Sequence, residues 1–200
     1  ENPILISTVV SDYNGYSISC SGQSDGFVDI TVTGGQGPYV YQWDGANSFF
    51  ENTEDISNLS PGFYSLNLFD VNMCQEILNV DISEPEVLVA NTEVFDVLCN
   101  GDDSGYIISS TNGGVPPYNE NLSSGADLDN LSTGTYTVII TDANNCELII
   151  PNLDVGQPNA GLDLINSNIV SVSCSGFSDG SIDIEMSGGT EPYSFFWEGE

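Results

Sequence analysis

The feature that most constrains this chain is a seven-residue phrase that occurs three times: CSGQSDG at 20–26, CNGDDSG at 99–105 and CSGFSDG at 174–180. The segment 20–45 aligns with 174–199 without a gap, and both contain the opening Cys, a Gly-Gly pair, Pro-Tyr and a Trp. Self-similarity at such a period indicates that one small structural unit is built repeatedly. We therefore expect the same fold in each copy.

The middle copy is a shortened version of the other two. It loses seven residues after its Pro-Tyr pair, and Leu122 stands where the flanking copies carry Trp43 and Trp197. The second halves of the copies also match, because LSPGFYSLNLFDVNMC at 59–74 aligns with LSTGTYTVIITDANNC at 131–146. Two complete copies and the first part of a third are therefore expected.

A proline closes each copy and marks the predicted boundaries. Pro3, Pro85 and Pro158 each follow an acidic or polar residue, and they lie 82 and then 73 residues apart. The predicted domains are the end of a preceding repeat at 1–3, a β-sandwich repeat at 4–85 (copy 1), a second at 86–158 (copy 2) and a truncated repeat at 159–200 (copy 3). The chain begins without a signal-peptide core and stops inside a motif, so we expect an excerpt of a longer polypeptide.

Side-chain polarity alternates with a period of two along each copy. FVDITVT at 27–33, YSLNLFD at 64–70 and SIDIEMS at 181–187 place apolar residues on one face, and Gly, Asn, Asp and Pro separate such runs. This pattern predicts an all-β fold of tandem Ig-like antiparallel β-sandwiches, with about seven strands each, arranged end to end. The Leu-x-x-Gly-x-Tyr segments 59–64 and 131–136 predict tyrosine corners, in which the Tyr hydroxyl bonds back to upstream backbone.

The repeated phrase itself predicts a corner that leads into the first core strand. Its Asp-Gly or Ser-Gly pair stands directly before the first alternating run, and another glycine stands four residues earlier. Turns of this composition place glycine at a positive φ, so we expect that conformation at both glycines. The glycines concerned are Gly22 and Gly26, Gly101 and Gly105, and Gly176 and Gly180.

The charge of the chain excludes whole classes of function. There is no lysine, arginine or histidine against 30 acidic residues, which gives a formal net charge of −30. Nucleic acid and anionic membrane are excluded as direct partners, because both are bound through Lys or Arg. Ser-His and Cys-His catalysis and Schiff-base chemistry need His or Lys. A glycosidase carboxylate pair needs a pocket that the sequence does not indicate, so we expect no enzyme.

The uncompensated acids leave two interpretations open. Either the charge keeps an extracellular polymer soluble, or divalent cations neutralise it at specific sites. Calcium prefers six to eight oxygen ligands, which Asp-, Asn- and Gly-rich turns can supply, but the same residues are also ordinary turn formers. No cofactor other than calcium is expected. The candidate calcium ligands are Asp25, Asp102, Asp103 and Asp179 in the repeated phrase, and Asp70 and Asp142 in the Asp-x-Asn segments.

Cysteine occurs twice in each complete copy, before the first core strand and after the Tyr-bearing strand. Zinc sites use CxxC spacing or His ligands, so we favour structural disulfides and an oxidising exterior. Four paired cysteines allow three connectivities. The repeat symmetry selects Cys20–Cys74 and Cys99–Cys146, and Cys174 is left unpaired by the truncation. A bridge across the 54 residues from Cys20 to Cys74 would stabilise a copy by about 4 kcal/mol.

The ordered set of motifs resembles a known repeat. Cys-x-Gly-x-x-Asp-Gly, Gly-Gly-x-x-Pro-Tyr-x-[Tyr/Phe]-x-Trp, Leu-Ser-Pro-Gly-x-Tyr, Asp-x-Asn-x-Cys and the closing Pro together resemble the SprB repeat. That repeat occurs in tandem in giant surface adhesins of gliding Bacteroidota. The resemblance implies an extracellular, outer-membrane-associated adhesin that is exported by type IX secretion and carried by the gliding motor. The middle copy departs from the pattern at Ser104, Leu122 and Thr133.

The expected function is a structural and adhesive segment that holds an adhesive tip away from the cell. Its expected partners are the extracellular substratum or a polysaccharide, neighbouring repeats, and gliding machinery or accessory surface proteins elsewhere on the chain. The alternative is a calcium-assisted carbohydrate-binding module. Phe27 and Tyr106 would then stack on sugar rings, together with Phe49 and Phe50, although we expect these last two to pack under a loop.

Overall fold

The structure, a computed structural model, describes residues 2–198. It is an all-β protein, as predicted, with one short 3₁₀ turn at Ala46–Ser48. Within the described range, no helix has the length and hydropathy needed to cross a membrane. The strands are β1 (Leu5–Val10), β2 (Gly26–Thr33), β3 (Val40–Gly45), β4 (Phe49–Glu51), β5 (Ile56–Leu59), β6 (Gly62–Phe69), β7 (Gln75–Ile82), β8 (Val89–Phe95), β9 (Tyr106–Asn112), β10 (Asn119–Leu122), β11 (Gly134–Thr141), β12 (Glu147–Val155), β13 (Asp163–Val170) and β14 (Ser181–Ser187).

Copy 1 is an antiparallel sandwich of seven strands. One sheet has the order β1-β2-β5 and the other the order β4-β3-β6-β7. The period-two pattern forms the core, because Val28 and Ile30 of β2 are buried together with Leu66 and Leu68 of β6. Trp43 of β3 is fully buried among them. The predicted fold class and strand number are therefore confirmed for this copy.

Copy 2 forms the same architecture with fewer strands. Its sheets are β8-β9 and β10-β11-β12. The seven missing residues remove the counterpart of β4, and a single bridge between Gly105 and Leu131 stands where β2 pairs with β5 in copy 1. Leu122 occupies the position of Trp43 and is buried, with 5% of its surface exposed. A smaller side chain thus fills the core of a smaller sandwich.

Copy 3 is represented by the antiparallel pair β13-β14 and the segment that follows it. Trp197 is 58% exposed, whereas its counterpart Trp43 is 0% exposed. The apolar face of this pair, lined by Leu164, Ile184 and Met186, borders an open cavity of about 600 Å³. The same alternating pattern therefore builds the same strands here but leaves their inner face accessible.

The chain divides into two compact units that do not follow the proline junctions. One unit contains Glu1–Ala90, Thr111–Asn119 and Ile140–Leu148, and the other contains Asn91–Ser110, Glu120–Ile139 and Ile149–Glu200. The first unit holds the complete sandwich of copy 1, and the second holds the β13-β14 pair. The domain boundaries 4–85, 86–158 and 159–200 remain a prediction.

Both predicted tyrosine corners are present. The hydroxyl of Tyr64 donates a hydrogen bond to the backbone oxygen of Ser60 over 2.9 Å. The hydroxyl of Tyr136 donates to the backbone oxygen of Ser132 over 2.8 Å. Burial raises the pKa of Tyr64, against the smaller opposing effect of its bond to Ser60. These corners fix the start of β6 and β11 against the preceding loop.

The glycine that ends the repeated phrase does not have the predicted positive φ, which corrects the turn assigned there. Gly26 begins β2, and an added β-carbon would lie 3.0 Å from Ile18 Cδ1 and 3.2 Å from Leu59 O. The equivalent β-carbon on Gly105 would lie 2.7 Å from Leu131 O, so close packing against backbone accounts for glycine at this position. The turn is made by the earlier glycine of each phrase. Its φ is +79° at Gly22, +80° at Gly101 and +87° at Gly176.

The Gly-Gly pair is explained by a close crossing of two backbone segments. Gly34 has a φ of +76°, and an added β-carbon would lie 2.0 Å from Pro3 O. The equivalent Gly113 faces Val87 O at the same 2.0 Å. The following Pro-Tyr motif locks this hairpin, because the Tyr39 hydroxyl donates to Gly34 O over 2.5 Å. The two motifs therefore serve one structural purpose.

Alanine at Gly34 is expected to destabilise copy 1 more than alanine at Gly22, although the two φ values are nearly equal. A positive φ disfavours an L side chain by about 1–2 kcal/mol. At Gly22 nothing lies within 4 Å of the new β-carbon, whereas at Gly34 it meets Pro3 O. Adding an overpacking cost of about 1–3 kcal/mol, we expect losses of about 1 and about 3 kcal/mol in urea unfolding. Equal losses would contradict the close crossing.

Candidate functional site: the junction between repeats

Cys20 and Cys74 lie at opposite ends of the copy 1 sandwich. The N–H of the residue before Cys20 donates to Asp25 Oδ1 (3.1 Å), which fixes the phrase beside the start of β2. Gln36 N donates to Asp70 Oδ2 (3.2 Å), which fixes the turn before Cys74 beyond the end of β2. The eight residues of β2 span about 25 Å, whereas a disulfide needs α-carbons within about 7 Å. A Cys20–Cys74 bond is excluded in this fold.

The structure joins Cys20 to Cys146, with α-carbons 5.7 Å apart and a sequence separation of 126 residues. The bond runs from copy 1 to copy 2, so the predicted pairs Cys20–Cys74 and Cys99–Cys146 are wrong. The physical reason is that the two cysteines of a copy stand at opposite ends of its sandwich and meet only between copies. Cys74, Cys99 and Cys174 lie outside this disulfide and are solvent-exposed.

Asn144 makes the polar contacts of the junction. Its Nδ2 donates to the backbone oxygens of Ser19 (2.9 Å) and Tyr13 (3.1 Å). Its Oδ1 accepts a bond from Nδ2 of Asn14. Cys146 Sγ lies 3.4 Å from the same Ser19 oxygen. The side chain two residues before the cysteine therefore docks copy 2 onto the backbone of copy 1.

The carboxylate of the Asp-x-Asn-x-Cys segment holds this turn in shape. Asp142 Oδ1 accepts from the backbone N–H groups of Asn144 (2.8 Å) and Cys146 (2.9 Å), and its Oδ2 accepts from Val115 (2.8 Å). Asp142 is buried, with 5% of its surface exposed. The three N–H donors provide hydrogen-bond partners for both oxygens of this buried side chain. The segment thus combines a fold-fixing Asp, a docking Asn and a bonding Cys.

Asp70 occupies the same position in copy 1 and accepts from the N–H groups of Asn72 (2.9 Å), Cys74 (2.9 Å) and Gln36 (3.2 Å). Removal from water acts to raise the pKa of Asp70, but the hydrogen bonds from Cys74, Gln36 and Asn72 together outweigh it. The pKa is therefore held below the ordinary value of 3.8. The charged form of the carboxyl is the form that the fold selects.

Asp70→Asn is expected to lower stability most at neutral pH. Since the folded pKa is depressed, the contribution of Asp70 is complete above the unfolded value of 3.8 and is lost as the pH falls through the folded pKa. The stability difference from the parent chain should therefore shrink below about pH 4. Urea unfolding at pH 7 to 2 measures it, with Asp81→Asn, an exposed carboxylate of β7, as the charge-matched control. A difference constant over this range would contradict the assignment.

The other candidate calcium ligands also act within turns. Asp25 and Asp179 accept from the N–H of Ser19 and Ser173, over 3.1 and 3.0 Å. Ser104 replaces this Asp in copy 2 and accepts through its hydroxyl from Leu98 N over 2.9 Å. Because a neutral hydroxyl does the same work, the position is explained by turn formation.

The remaining two ligand candidates are adjacent in the exposed phrase of copy 2, where Asp103 N donates to Asp102 Oδ1 over 2.9 Å. In copy 3, the hydrogen bonds that Asp179 accepts from the side chain and the backbone of Ser173 lower the pKa of its carboxyl. Within residues 2–198, no three Asp, Glu or Cys side chains are grouped so that they could hold a metal ion. The structure thus does not bring the six carboxylates together, and the calcium site stays a prediction.

The aromatic side chains considered for sugar binding are dispersed over the strands. Phe27 and Phe50 are 40% and 58% exposed, so Phe50 does not pack under a loop as predicted. Phe49 packs edge-on against Tyr64 of β6, with ring centroids 5.2 Å apart, so its contact is with a strand. Tyr106 stacks on Phe95, 4.4 Å away.

A polar groove of about 400 Å³ adjoins the disulfide, with Gln23, Leu88 and Glu147 among its walls. The chain has no basic residue, so neutral hydrogen bonds and one covalent bond hold this junction. The chemistry that the site offers is that of a disulfide, which reductants open and oxidants close. Sequence reasoning missed Asn144, Tyr13 and Ser19. The shared Asn72 and Asn144 in the two Asp-x-Asn-x-Cys segments were the available signal.

Comparison with known proteins agrees with the motifs. The family model for the SprB repeat matches residues 17–48 and 166–199, which contain the repeated phrase and the Gly-Gly pair of copies 1 and 3. No curated protein matches the chain. The predicted resemblance is confirmed at these two segments. The SprB repeat is a structural repeat typical of cell-surface proteins and is not an enzyme family.

Proposed function

We propose that this chain, which carries SprB repeat sequence at two segments, is a stalk segment of a secreted cell-surface adhesin. In this proposal, tandem β-sandwiches form an extended, disulfide-pinned filament that holds an adhesive part of the polypeptide against the substratum during adhesion and gliding. The single observation that supports it most is the Cys20–Cys146 bond between copies. A bond inside a copy would stabilise a domain, whereas a bond between copies strengthens an array.

The junction between copies 1 and 2 is suited to transmitting tension along the array. Copies 1 and 2 are joined by the short segment between β7 and β8, residues 83–88, and again by the disulfide. Two covalent connections between neighbouring copies restrict hinging more than one connection does. Tension applied across the pair passes through the disulfide and bypasses the residues between the two cysteines. The link therefore protects the sandwich cores from being pulled open.

The acidic surface fits an exterior position. With 30 acids and no basic residue, like charges on neighbouring chains repel and keep the polymer dispersed. The disulfide requires an oxidising compartment. In this proposal the polypeptide is exported by type IX secretion, remains associated with the outer membrane, and meets the gliding machinery and accessory surface proteins through parts outside these copies.

Surface labelling tests the location and role together. Antibodies raised against residues 1–200 should label intact, unpermeabilised cells of the source organism, and cells from which the encoding segment is deleted should remain unlabelled. If the segment is a stalk, its in-frame deletion should shorten the surface filament seen by electron microscopy and weaken attachment to glass in flow. Labelling only after permeabilisation would contradict the proposal.

A carbohydrate-binding role is the second candidate, and the exposed rings of Phe27 and Phe50 are the observation that favours it. A glycan array with the intact chain, in calcium and in EDTA, separates the two functions. The stalk predicts no calcium-dependent signal. Melting temperature at constant ionic strength provides a second readout, because diffuse screening responds equally to sodium and calcium salts. A rise at micromolar calcium would support a specific site.

A further inference from the structure

We infer that the Cys20–Cys146 bond is one rung of a disulfide ladder that runs through the array of repeats. In this ladder, the cysteine that opens one copy bonds the cysteine of the Asp-x-Asn-x-Cys turn in the following copy. Cys99 is then the bonding site for the turn of the next copy, and Cys74 is the site for the opening cysteine of the preceding one. Each copy is thereby bonded covalently to both neighbours. This inference requires that copies follow one another along the chain, but it does not depend on the proposed adhesive function.

The opening cysteines of the three copies have the same local structure. The oxygen of Cys20 accepts from Gln23 N over 3.0 Å, that of Cys99 from Asp102 N over 3.1 Å, and that of Cys174 from Phe177 N over 3.1 Å.

The turn is anchored at its glycine as well. Gly22 N donates to the Glu84 carboxylate (2.6 Å), and Gly101 N donates to Gln157 Oε1 (3.0 Å), in both cases the residue before the closing proline. Cys99 is therefore presented in its copy as Cys20 is presented in copy 1.

The cysteines of the Asp-x-Asn-x-Cys turns are also equivalent. Asp70 accepts from Cys74 N, and Asp142 accepts from Cys146 N, both over 2.9 Å. The residue after each Asp closes onto the preceding hairpin, since Val71 N donates to Gln36 O over 3.0 Å and Ala143 N to Val115 O over 2.8 Å. The turn that carries Cys146 into its bond is thus a built feature of every complete copy.

A cavity beside Cys99 identifies the occupant of that site. The cavity has a volume of about 210 Å³, and its walls include Cys99, Asn100, Gly189 and Thr190. In copy 2 the counterparts of Gly189 and Thr190 are the two residues that contact the Asp142 carboxylate. An added β-carbon on Gly114 would lie 2.7 Å from Asp142 Oδ2, and Val115 N donates to that oxygen.

These walls therefore combine an opening cysteine with the hairpin that seats an Asp-x-Asn-x-Cys turn. Cys146 and Cys20 meet in the same combination at the formed junction, beside the groove that both cysteines line. We assign the cavity to the turn of a complete third copy. The other possible partner for that turn is Cys174 of the same copy. Cys174 is equivalent to Cys20 of copy 1, and in copy 1 this position lies at the opposite end of the sandwich from the Asp-x-Asn-x-Cys turn.

Formation of each rung is a balanced oxidation. Two thiols lose two protons and two electrons as the S–S bond forms. A disulfide oxidant, here oxidised glutathione, accepts them and becomes two thiols.

The test uses the full chain extended after Glu200 by residues 47–85 of its own copy 1, which completes copy 3 and adds one cysteine, the counterpart of Cys74. The protein is oxidised in a glutathione buffer, alkylated, digested with an acid-specific protease and mapped without reduction. We expect the appended cysteine to be bonded to Cys99 and Cys20 to Cys146. In the Cys99→Ser variant the appended cysteine should be alkylated, whereas in the Cys174→Ser variant its bond to Cys99 should persist.

A second version guards against failure of the completed copy to fold. In it, residues 119–158 of copy 2 follow Tyr193, so that the third copy is completed by the shorter half. Fluorescence reports folding in the first version, because Trp197 should become as buried as Trp43 and its emission should shift to the blue. An appended cysteine bonded to Cys174, or alkylated in both versions, would overturn the ladder. Absence of the protein from the cell surface would contradict only the proposed function.

Discussion

Reduction of the Cys20–Cys146 disulfide is expected to lengthen the fully unfolded chain under force by about 430 Å. The bond closes a loop of 126 residues, and an extended chain gains roughly 3.3–3.6 Å per residue. With the bond intact, tension passes from Cys20 directly to Cys146 and the enclosed residues are never stretched. Single-molecule pulling from the two termini, with and without a reductant, measures this gain.

The size of the gain also identifies which cysteines are bonded. A Cys20–Cys74 bond would enclose 54 residues and release about 190 Å, and a Cys99–Cys146 bond would enclose 47 residues and release about 160 Å. The Cys20→Ser variant should show the full length without reductant. The Cys174→Ser variant should behave as the parent chain. A gain near 190 or 160 Å would contradict the bond between copies.

Cys146→Ser is expected to destabilise the protein by about 5 kcal/mol. In the chain-entropy model the cost of opening a loop grows with its length, and a loop of 126 residues is worth about 5 kcal/mol. For a chain of about 200 residues, a loss of that size lowers the melting temperature by roughly 10–20 °C. Scanning calorimetry of the parent, Cys146→Ser and Cys99→Ser chains, all alkylated, provides the measurement.

Two further variants show whether a loss of stability comes from the disulfide itself. Cys99 lies outside the disulfide and is exposed, so Cys99→Ser should leave the melting temperature within a degree or two of the parent value. Asn144→Ala removes the hydrogen bonds to Ser19 and Tyr13 but retains the bond between the cysteines. It should cost about 1–2 kcal/mol. Equal melting temperatures for the parent and Cys146→Ser would contradict a stabilising role for the disulfide.

Strands, hairpins and corners could be predicted from the sequence, because local rules decide them. The period-two alternation of residues 27–33 is sufficient to predict strand β2. The Leu-x-x-Gly-x-Tyr segment closes its own loop, because the hydroxyl of Tyr64 bonds to backbone four residues earlier. The Asp-x-Asn-x-Cys turn is similarly local, since Asp70 bonds N–H groups within four residues of it. Each of these features recurs in every copy that contains the motif.

Burial of single side chains was predicted less well, because it depends on what lies across the sandwich. Phe49 and Phe50 are neighbours in sequence, yet Phe49 packs on Tyr64 and Phe50 points away with 58% of its surface exposed. Gly26 looked like a turn glycine, but it is needed because Ile18 and Leu59 approach it closely. These contacts come from segments that are distant in the sequence.

The sequence by itself determined that the chain is a series of all-β copies. It also placed one cysteine of a complete copy before its first core strand and the other after its Tyr-bearing strand, which are β2 and β6 in copy 1. The repeat symmetry led us to predict Cys20–Cys74, but a bond from an opening cysteine to the turn of the following copy, as in Cys20–Cys146, obeys the same symmetry. Only the tertiary structure decided this, by placing the two cysteines of one copy at opposite ends of an eight-residue strand and bringing Cys146 within 5.7 Å of Cys20. The physical reason is that a disulfide depends on a distance, and a repeat fixes which positions are equivalent without fixing which are near.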